Sequence, residues 1–394
     1  SQMGMFYLGP IDGHDVNSLV KILQNLKEGP KHGPVLLHVV TEKGRGHPFS
    51  KNSEEKYHAV SKFNVVSGSS VKSTSNAPTY TEVFSETLCE LAEKDEKIVA
   101  ITAAMPSGTG LNNFKRKYKE RFFDVGIAEQ HAVTFAAGMA TEGLKPFVVI
   151  YSTFLQRAYD QIIHDVVIQK LPVRFMMDRA GLVGADGATH AGSFDLAYLL
   201  CLPNVVVMAP SDENELAKMI FTASNYHKGP IFCRYPRGEA VGMKINDKLV
   251  SLEIGKGRVI KEGRQIAILS IGTRMKDVLK VYDILKSDGF LLTVADARFA
   301  KPIDTELLRK LFLNHDALIF VEEGSSGGFS SHCLNYLSSE SLLGKKSKFI
   351  KCLTLPDKFQ DHGSQEDQLT DAKLDENGIL FEIKSIISKL KINN

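Results

Sequence analysis

Short runs of continuous apolar residues alternate with amphipathic segments between residues 79 and 241. Continuous apolar runs are typical of strands covered on both faces, whereas apolar positions spaced three or four residues apart are typical of helices packed on a core. The alternation predicts a parallel sheet with helices on both sides. We expect its strands at residues 98–101, 122–125, 147–150, 173–177, 205–208 and 231–234.

Two further units flank this central domain of residues 79–241. Residues 1–63 contain one predicted strand–helix–strand, whose first strand ends at Leu8, and such a unit cannot cover both faces of a sheet. Residues 64–78 are rich in serine and lack periodicity, which predicts a linker. Residues 255–394 predict a smaller α/β domain. Ser211 is the expected cap of a helix in the central domain.

Composition excludes several classes of protein. The chain of 394 residues carries a net charge of +2, which disfavours a protein dedicated to nucleic acids or anionic membrane surfaces. No run approaches the roughly 18 apolar residues of a membrane helix. The cysteines are odd in number and scattered, so we expect reduced thiols buried in the core. No Gly-x-Ser-x-Gly motif occurs, and the loops after the strands hold no cysteine, so a nucleophile of either type has no support.

Glu129 stands at the predicted start of an alanine-rich helix, after a short strand expected to be buried and a glycine turn at Gly126. A buried carboxylate is costly unless another group meets it, so an isolated glutamate among apolar residues is a candidate for proton chemistry. A glutamate at a helix start can equally serve as a partner of the helix dipole. The local pattern leaves both interpretations open.

Most other polar candidates follow predicted strand ends, where ligands bind in parallel sheets. Tyr151, Phe154 and Arg157 are spaced three residues apart, which predicts a ring and a guanidinium on one pocket wall and a flat heterocycle stacked there. The alternative is that Phe154 belongs to the core and Arg157 pairs with Asp160.

A long glycine-rich loop follows the strand at 173–177. Arg179 in this loop and Arg237 after the last strand predict a clamp for a phosphate group. His190 titrates in a useful range and lies four residues after Asp186, so it is a candidate for moving a proton on a substrate hydroxyl. Two weaker histidine candidates are His14 and His58. These residues predict an α/β enzyme that acts on a phosphorylated small molecule with a flat cofactor.

Several longer motifs carry a resemblance to a known family. They are Phe123-Asp-Val-Gly-Ile-Ala-Glu-Gln-His, Tyr151-Ser-Thr-Phe-Leu-Gln-Arg, Asp178-Arg-Ala-Gly-Leu-Val-Gly-Ala-Asp-Gly-Ala-Thr-His, Tyr235-Pro-Arg-Gly, Gly9-Pro-Ile-Asp-Gly-His-Asp, Lys43-Gly-Arg-Gly and Ala297-Arg-Phe-Ala-Lys-Pro-Ile-Asp. Together they closely resemble the 1-deoxy-D-xylulose-5-phosphate synthase family, thiamine-diphosphate enzymes of the transketolase superfamily. The resemblance covers essentially the whole chain and implies a transketolase-like fold.

The resemblance also implies roles for individual residues. Glu129 looks like the carboxylate that hydrogen-bonds the aminopyrimidine ring of thiamine diphosphate. The other implied cofactor-binding residues are Phe154, Arg157, Ile127 and His47, the last standing where the family commonly has tyrosine. The implied substrate-binding residues are Tyr151, Arg179, Asp186, His190 and Arg237. The implied catalytic residues are Glu129, His58 and His190.

The implied reaction joins pyruvate to D-glyceraldehyde 3-phosphate and gives 1-deoxy-D-xylulose 5-phosphate and CO2, at the entry to non-mevalonate isoprenoid synthesis and to thiamine biosynthesis. A homodimer is implied, without nucleic-acid or membrane partners. The family's Gly-Asp-Gly motif for Mg²⁺ and diphosphate is absent here. We therefore expect an N-terminally truncated fragment whose residues 1–63 are the tail of a diphosphate-binding domain, with the metal ligands outside this chain. We expect the chain alone to be inactive.

Two alternatives stay open at this point. One is the β-type E1 subunit of a 2-oxoacid dehydrogenase, although such a subunit has no reason to carry residues 1–63. The other is a non-catalytic binding or dimerisation protein that has lost its cofactor site. Some short segments, such as Gly108-Thr-Gly-Leu and Lys170-Leu-Pro-Val-Arg, resemble the plastid enzymes of plants. This resemblance implies the plastid stroma, with bacterial cytoplasm as the alternative.

Overall fold

The computed structural model describes residues 1–30, 33–52, 56–57, 63–69, 77–243, 245, 249–344 and 348–391. The chain divides into two compact units, Ser1–Ser75 and Asn76–Asn394. Each is described by itself. Within the residues described, no helix combines the length and apolar character needed to cross a membrane.

The first unit is a strand–helix–strand. It consists of β1 (Phe6–Asp12), α1 (Val16–Glu28) and β2 (Val35–Val40), and the two strands pair in parallel. The prediction that the first strand ends at Leu8 is wrong, because the ladder resumes at Ile11 after a register shift. The shift takes up Gly9 and Pro10, and proline cannot donate a ladder hydrogen bond.

The second unit contains two sheets and their covering helices. Its elements in chain order are α2 (Tyr80–Lys94), β3 (Ile98–Thr102), α3 (Asn112–Lys117), β4 (Phe122–Asp124), α4 (Glu129–Thr141), β5 (Lys145–Tyr151), α5 (Ser152–Leu155), α6 (Tyr159–Gln161), β6 (Arg174–Asp178), α7 (Asp195–Leu200), β7 (Val206–Met208), α8 (Glu213–Asn225), β8 (Ile231–Arg234), β9 (Arg258–Lys261), β10 (Ile266–Ile271), α9 (Met275–Ser287), β11 (Thr293–Asp296), β12 (Phe299–Lys301), α10 (Thr305–Asn314), β13 (Ala317–Glu322), α11 (Phe329–Ser339), β14 (Phe349–Leu353), α12 (Gln365–Asp371) and α13 (Glu376–Leu390).

The first sheet has the strand order β12-β7-β8-β6-β5-β3-β4. Its six central-domain strands pair in parallel, which confirms the predicted parallel sheet. β12 comes from the C-terminal part of the chain and pairs antiparallel with β7. The prediction that the strand before Glu129 is buried is wrong, because β4 lies at the sheet edge and its two phenylalanines are only half-buried.

The second sheet has the order β14-β13-β10-β11-β9, in which β9 alone among the described strands runs antiparallel to its neighbour. One apolar core runs from one face of the first sheet into the second sheet, while α2 and α8 pack on the other face of the first sheet. It includes Ile150 and Phe175 on the first sheet and Leu269 and Phe320 on the second. The two sheets are therefore joined by packing as well as by β12.

Two local predictions need correction. Asp212, not Ser211, caps α8 by accepting the N–H of Glu215 at 2.8 Å, because the Ser211 hydroxyl donates to Asp296 at 2.9 Å. All five cysteines are free, but Cys201 is exposed rather than buried, since it follows the end of α7.

Candidate active site

The predicted site residues of the second unit follow the carboxyl ends of four parallel strands of the first sheet, β4, β5, β6 and β8, with β3 between β4 and β5. Carboxyl ends of parallel strands meet at one edge of a sheet, and the helices that follow them point their positive ends towards that edge. The short loops after these strands carry the polar groups described below.

Glu129 is the first residue of α4 and only 3% exposed. Its carboxylate caps no backbone N–H of the helix start. Its nearest charged partner is Arg157, whose Nη1 lies 3.5 Å from Oε2, and that oxygen is buried without a hydrogen-bond partner among the described residues. A buried acceptor of this kind costs free energy until a donor reaches it. The carboxylate therefore suits a ligand with an N–H or O–H group.

Arg157 does not pair with Asp160, so that part of the alternative from the sequence is wrong, whereas Phe154 does pack against the apolar core as a partly buried residue. Asp160 instead contacts His164, with 3.0 Å between its Oδ1 and the ring Nδ1. The guanidinium of Arg157 points back to Glu129 and stays about half exposed. It can therefore contact a bound ligand on its open side.

The rings of Tyr151, Phe154 and His190 form a row. The rings of Tyr151 and Phe154 stack with 5.6 Å between centroids and 20° between planes, and His190 meets Phe154 edge-on at 5.2 Å. Phe154 is half-buried, and the ring Nδ1 of His190 lies 2.9 Å from the Thr189 hydroxyl. The predicted aromatic wall is thus brought together with the predicted histidine.

Arg179, Asp186 and Arg237 converge at the other end of the ring row. The Arg179 guanidinium lies 3.8 Å from the Tyr151 ring centroid and donates to the Gly108 carbonyl at 2.8 Å. Asp186 Oδ2 is 3.1 Å from Arg237 Nη1 and 3.9 Å from Arg179 Nε. Arg179 Nε is buried without a hydrogen-bond partner among the described residues. Two guanidinium groups, one of which has a buried Nε–H without a partner among the described residues, suit the binding of an oxyanion.

Asp178 is a site residue that sequence reasoning did not select. This last residue of β6 is fully buried, and it accepts the Thr81 hydroxyl at 2.8 Å and the Arg179 N–H at 2.7 Å. Burial raises the pKa of Asp178 to about 6, although Arg179 opposes the shift. Burial also raises the pKa of the neighbouring Tyr151 to about 12. The sequence feature that could have identified Asp178 is its position as the first polar residue after the apolar run at residues 175–177.

The remaining predicted residues lie in the turn before Glu129, in the first unit or outside the described residues. Ile127 lies in the turn before Glu129 and is 77% exposed. His47 belongs to the first unit, where its ring contacts Tyr57 at 4.5 Å and its Nδ1 is buried without a hydrogen-bond partner in the described part of the chain. His14, also in the first unit, accepts the N–H of Glu42 at 2.7 Å. His58 lies outside the described residues. In the ranges that the structure describes, no three acidic, histidine or cysteine side chains form a metal site.

Comparisons with known proteins agree with the fold. Residues 76–241 match the transketolase pyrimidine-binding domain, residues 255–379 match the transketolase C-terminal domain, and residues 1–41 match the model of 1-deoxy-D-xylulose-5-phosphate synthase. Each match is to a part of the chain.

The structure is similar to a chain described as a split-gene transketolase, inactive β4 tetramer, at 28% identity and a TM-score of 0.68, over 79% of this chain and 99% of that one. It is also similar to a transketolase mutant from Pichia stipitis in complex with fructose 6-phosphate, at 16% identity and a TM-score of 0.65. That match covers 81% of this chain and 47% of the yeast chain, so the present chain spans less than half of that protein. The fold is transketolase-like.

Proposed function

We propose that this 1-deoxy-D-xylulose-5-phosphate synthase-like chain supplies the pyrimidine-binding and acceptor-binding part of an enzyme that condenses pyruvate with D-glyceraldehyde 3-phosphate. The products are 1-deoxy-D-xylulose 5-phosphate and CO2. The observations that carry the proposal are the Glu129–Arg157 pair and one series of ring and charge contacts. The series runs from His190 and Phe154 through Tyr151 to the cluster of Arg179, Asp186 and Arg237, called the two-arginine cluster. A proton-handling carboxylate, a flat wall and an anion site are thus all present in the second unit.

The residues present fit thiamine diphosphate, because the buried Oε2 of Glu129 has no donor among the described residues and the half-buried ring of Phe154 follows a strand of the same sheet. When bound, thiamine diphosphate supplies the nucleophilic carbon that takes up pyruvate and allows it to lose CO2. Glu129 would hold a proton between its Oε2 and a pyrimidine nitrogen, and Phe154 would stack on the ring. Arg157 would keep the Glu129 carboxylate oriented.

The second substrate would occupy the other end of the row. Arg179 and Arg237 would bind the phosphate of glyceraldehyde 3-phosphate through charge-assisted hydrogen bonds. His190, held by Thr189, would donate a proton to the aldehyde oxygen as the new carbon–carbon bond forms. Asp186 and Tyr151 would orient the acceptor hydroxyl and the two guanidinium groups.

We also propose that the chain needs a further diphosphate-binding segment and that it self-associates. The similarity to a split-gene transketolase chain described as an inactive β4 tetramer supports both points. Mg²⁺ and the diphosphate would then be held by groups other than those described here. Two exposed apolar side chains, Ile127 at 77% and Ile168 at 63%, would be covered in such an assembly. Light scattering on the purified chain measures its oligomeric state.

The test is an assay of CO2 release and of sugar-phosphate formation from pyruvate and glyceraldehyde 3-phosphate. The chain is assayed alone and with the diphosphate-binding domain of a 1-deoxy-D-xylulose-5-phosphate synthase. We expect turnover only in the mixture, and its loss by at least about a hundred-fold in Glu129→Ala, because the variant removes a proton-transfer group. Full turnover in that variant would refute the role of Glu129.

Two other functions are weaker. The E1 β-type subunit is disfavoured because residues 1–41 match the 1-deoxy-D-xylulose-5-phosphate synthase model. A non-catalytic binding protein would give no turnover in the mixture and no thiamine-diphosphate binding. For localisation we propose the plastid stroma, because short segments of the sequence resemble plant enzymes. Fractionation of plant cells with an antibody to the native protein tests this proposal.

A further inference from the structure

The loop that carries Arg179, Asp186 and His190 makes few hydrogen bonds within itself. Gly181 and Gly192 exchange both backbone hydrogen bonds at 2.8 Å, and two turn contacts follow around Gly187. Four residues of the loop have positive φ, among them Arg179 at 60° and Gly184 at 69°. Such a segment has no regular ladder, so its remaining backbone groups need partners from elsewhere.

Those partners come from the C-terminal part of the chain. The Leu182 N–H donates to Glu323 Oε1 at 2.7 Å. The Gly184 N–H donates to Gln368 Oε1 at 2.8 Å, and Gln368 Nε2 donates back to the Gly184 carbonyl at 3.2 Å. The carboxamide of Gln368 therefore pairs with a peptide group as a neighbouring strand would, giving one donor and one acceptor. Gln368 is only 5% exposed, so water cannot readily replace it.

Gln365, one turn earlier on α12, links the loop to the segment that follows β8. Its Nε2 donates to the Leu182 carbonyl at 2.7 Å and to the Arg237 carbonyl at 3.1 Å. Arg237 in turn donates from Nη1 to the Val183 carbonyl at 2.7 Å and meets Asp186 at 3.1 Å. One short helix thus fixes the backbone beneath both sides of the two-arginine cluster.

We propose that Gln368 and Gln365 are positioning residues that set the spacing of Arg179, Asp186 and Arg237, so that the C-terminal part of the chain determines affinity for the phosphate group of the acceptor. This inference rests on the proposed function, because it takes the cluster to be the phosphate site. The two glutamines touch neither cofactor nor reacting atoms. They act through the backbone of Leu182, Gly184 and Arg237.

Gln368→Met tests the inference, because methionine has a similar volume and neither donor nor acceptor at the amide position. We expect inorganic phosphate to bind the full chain about ten-fold more weakly, since a small misplacement of an oriented anion site has effects of this size. Hydrogen exchange in peptides over residues 182–187 should become faster. In the complemented enzyme, KM for glyceraldehyde 3-phosphate should rise by about the same factor while KM for pyruvate and kcat change less than about three-fold.

Gln360→Met is the matched control. Gln360 is buried, at 8% exposed, and donates to the Gln368 carbonyl at 2.7 Å, but the described contacts of its side chain are all within the C-terminal part. Gln360→Met should therefore leave the affinity of the chain for phosphate unchanged. If both variants weaken phosphate binding equally, loosening of α12 explains the effect and the positioning role is wrong. Gln365→Met, at a half-buried position, gives the same test should Gln368→Met fail to fold.

Failure of the inference and failure of the proposed function give different results. If the unmodified chain binds phosphate and the Gln368 and Gln365 variants bind it equally well, the inference is wrong and the proposed function stands. If the unmodified chain binds no phosphate, the two-arginine cluster is not an oxyanion site, and both are wrong. Faster exchange over residues 182–187 without weaker phosphate binding would limit the glutamines to a structural role.

Discussion

The two units of the chain contain the same kind of sequence pattern in opposite surroundings. In α1 of the first unit, the apolar residues Val16, Val20 and Leu23 are 64%, 46% and 48% exposed. In α2 of the second unit, Phe84, Leu88 and Leu91 have the same helical spacing and are at most 9% exposed. Periodicity therefore predicts that a helix forms and which face is apolar, but not whether anything covers that face.

The difference has an energetic consequence. Each apolar side chain that stays in water forgoes roughly 1.5–3 kcal/mol of burial free energy. The first unit also leaves Phe6, Tyr7 and Leu36 of its two strands about 40% exposed. We expect it to be the less stable unit in the chain by itself, and three paired changes measure the contrast.

The largest expected contrast is between two apolar truncations. Phe232→Ala removes a fully buried ring that stacks on Phe175 with 4.4 Å between centroids. It should lower the free energy of unfolding of the second unit by about 3–5 kcal/mol, because a large cavity remains. Leu23→Ala in α1 should cost less than about 1 kcal/mol, since its side chain is already largely in water. Urea unfolding followed by hydrogen exchange in each unit checks both values, and equal costs would contradict the contrast.

Ion pairs give the next contrast. Glu215 is buried and meets three cations, with Arg298 Nε at 2.7 Å, Lys218 Nζ at 3.0 Å and Arg258 Nη1 at 3.2 Å. Glu215→Gln should cost about 3–5 kcal/mol, because Glu215 is fully buried and its loss of charge leaves the partly buried guanidinium of Arg298 without this carboxylate. In the first unit, Arg45 and Asp12 are 3.8 Å apart and both more than half exposed, so Arg45→Ala should have little effect. Thermal unfolding of the two variants compares them, and a larger loss for Arg45→Ala would reverse the argument.

The smallest expected contrast is in how protein stability depends on pH, because Asp178 of the second unit and Asp15 of the first unit contribute with opposite signs. Burial raises the pKa of Asp178 from 3.8 to about 6, so the folded protein holds this proton more tightly than the unfolded chain. Its contribution to stability is full below about pH 4 and is lost as pH rises through about 6, by roughly 3 kcal/mol at most.

Asp178→Asn should therefore remove a decline in stability between pH 4 and 6. Asp15, which caps α1, has its pKa lowered by hydrogen bonds from Ser18, so its contribution is present above pH 3.8 and is lost as pH falls further. Asp15→Asn should change the slope only in that acidic range. Unfolding curves at several pH values measure both. A slope of the same sign for the two residues would rule out the assigned causes.

The sequence predicted what depends on local pattern. The strands of the parallel sheet were found because strands covered on both faces are continuously apolar, and the site was placed at their carboxyl ends by that topology. The errors have a common origin in distant contacts. Ser211 and Asp212 are both good caps, and the choice between them is made by Asp296, far along the chain. Likewise, no local signal marks Gln368 as a partner of Gly184, because only the folded chain brings them together.

The strand β12 has a consequence for how this protein can be divided in evolution. Because Phe299–Lys301 completes the sheet that begins with residues of the central domain, a gene broken between residues 241 and 255 would yield a first product with β7 as a bare sheet edge. Bare edges promote aggregation. A break near residue 75 separates the two compact units and leaves both sheets of the second unit whole. Gene fission and fusion in this lineage should therefore be tolerated near residue 75 and selected against between residues 241 and 255.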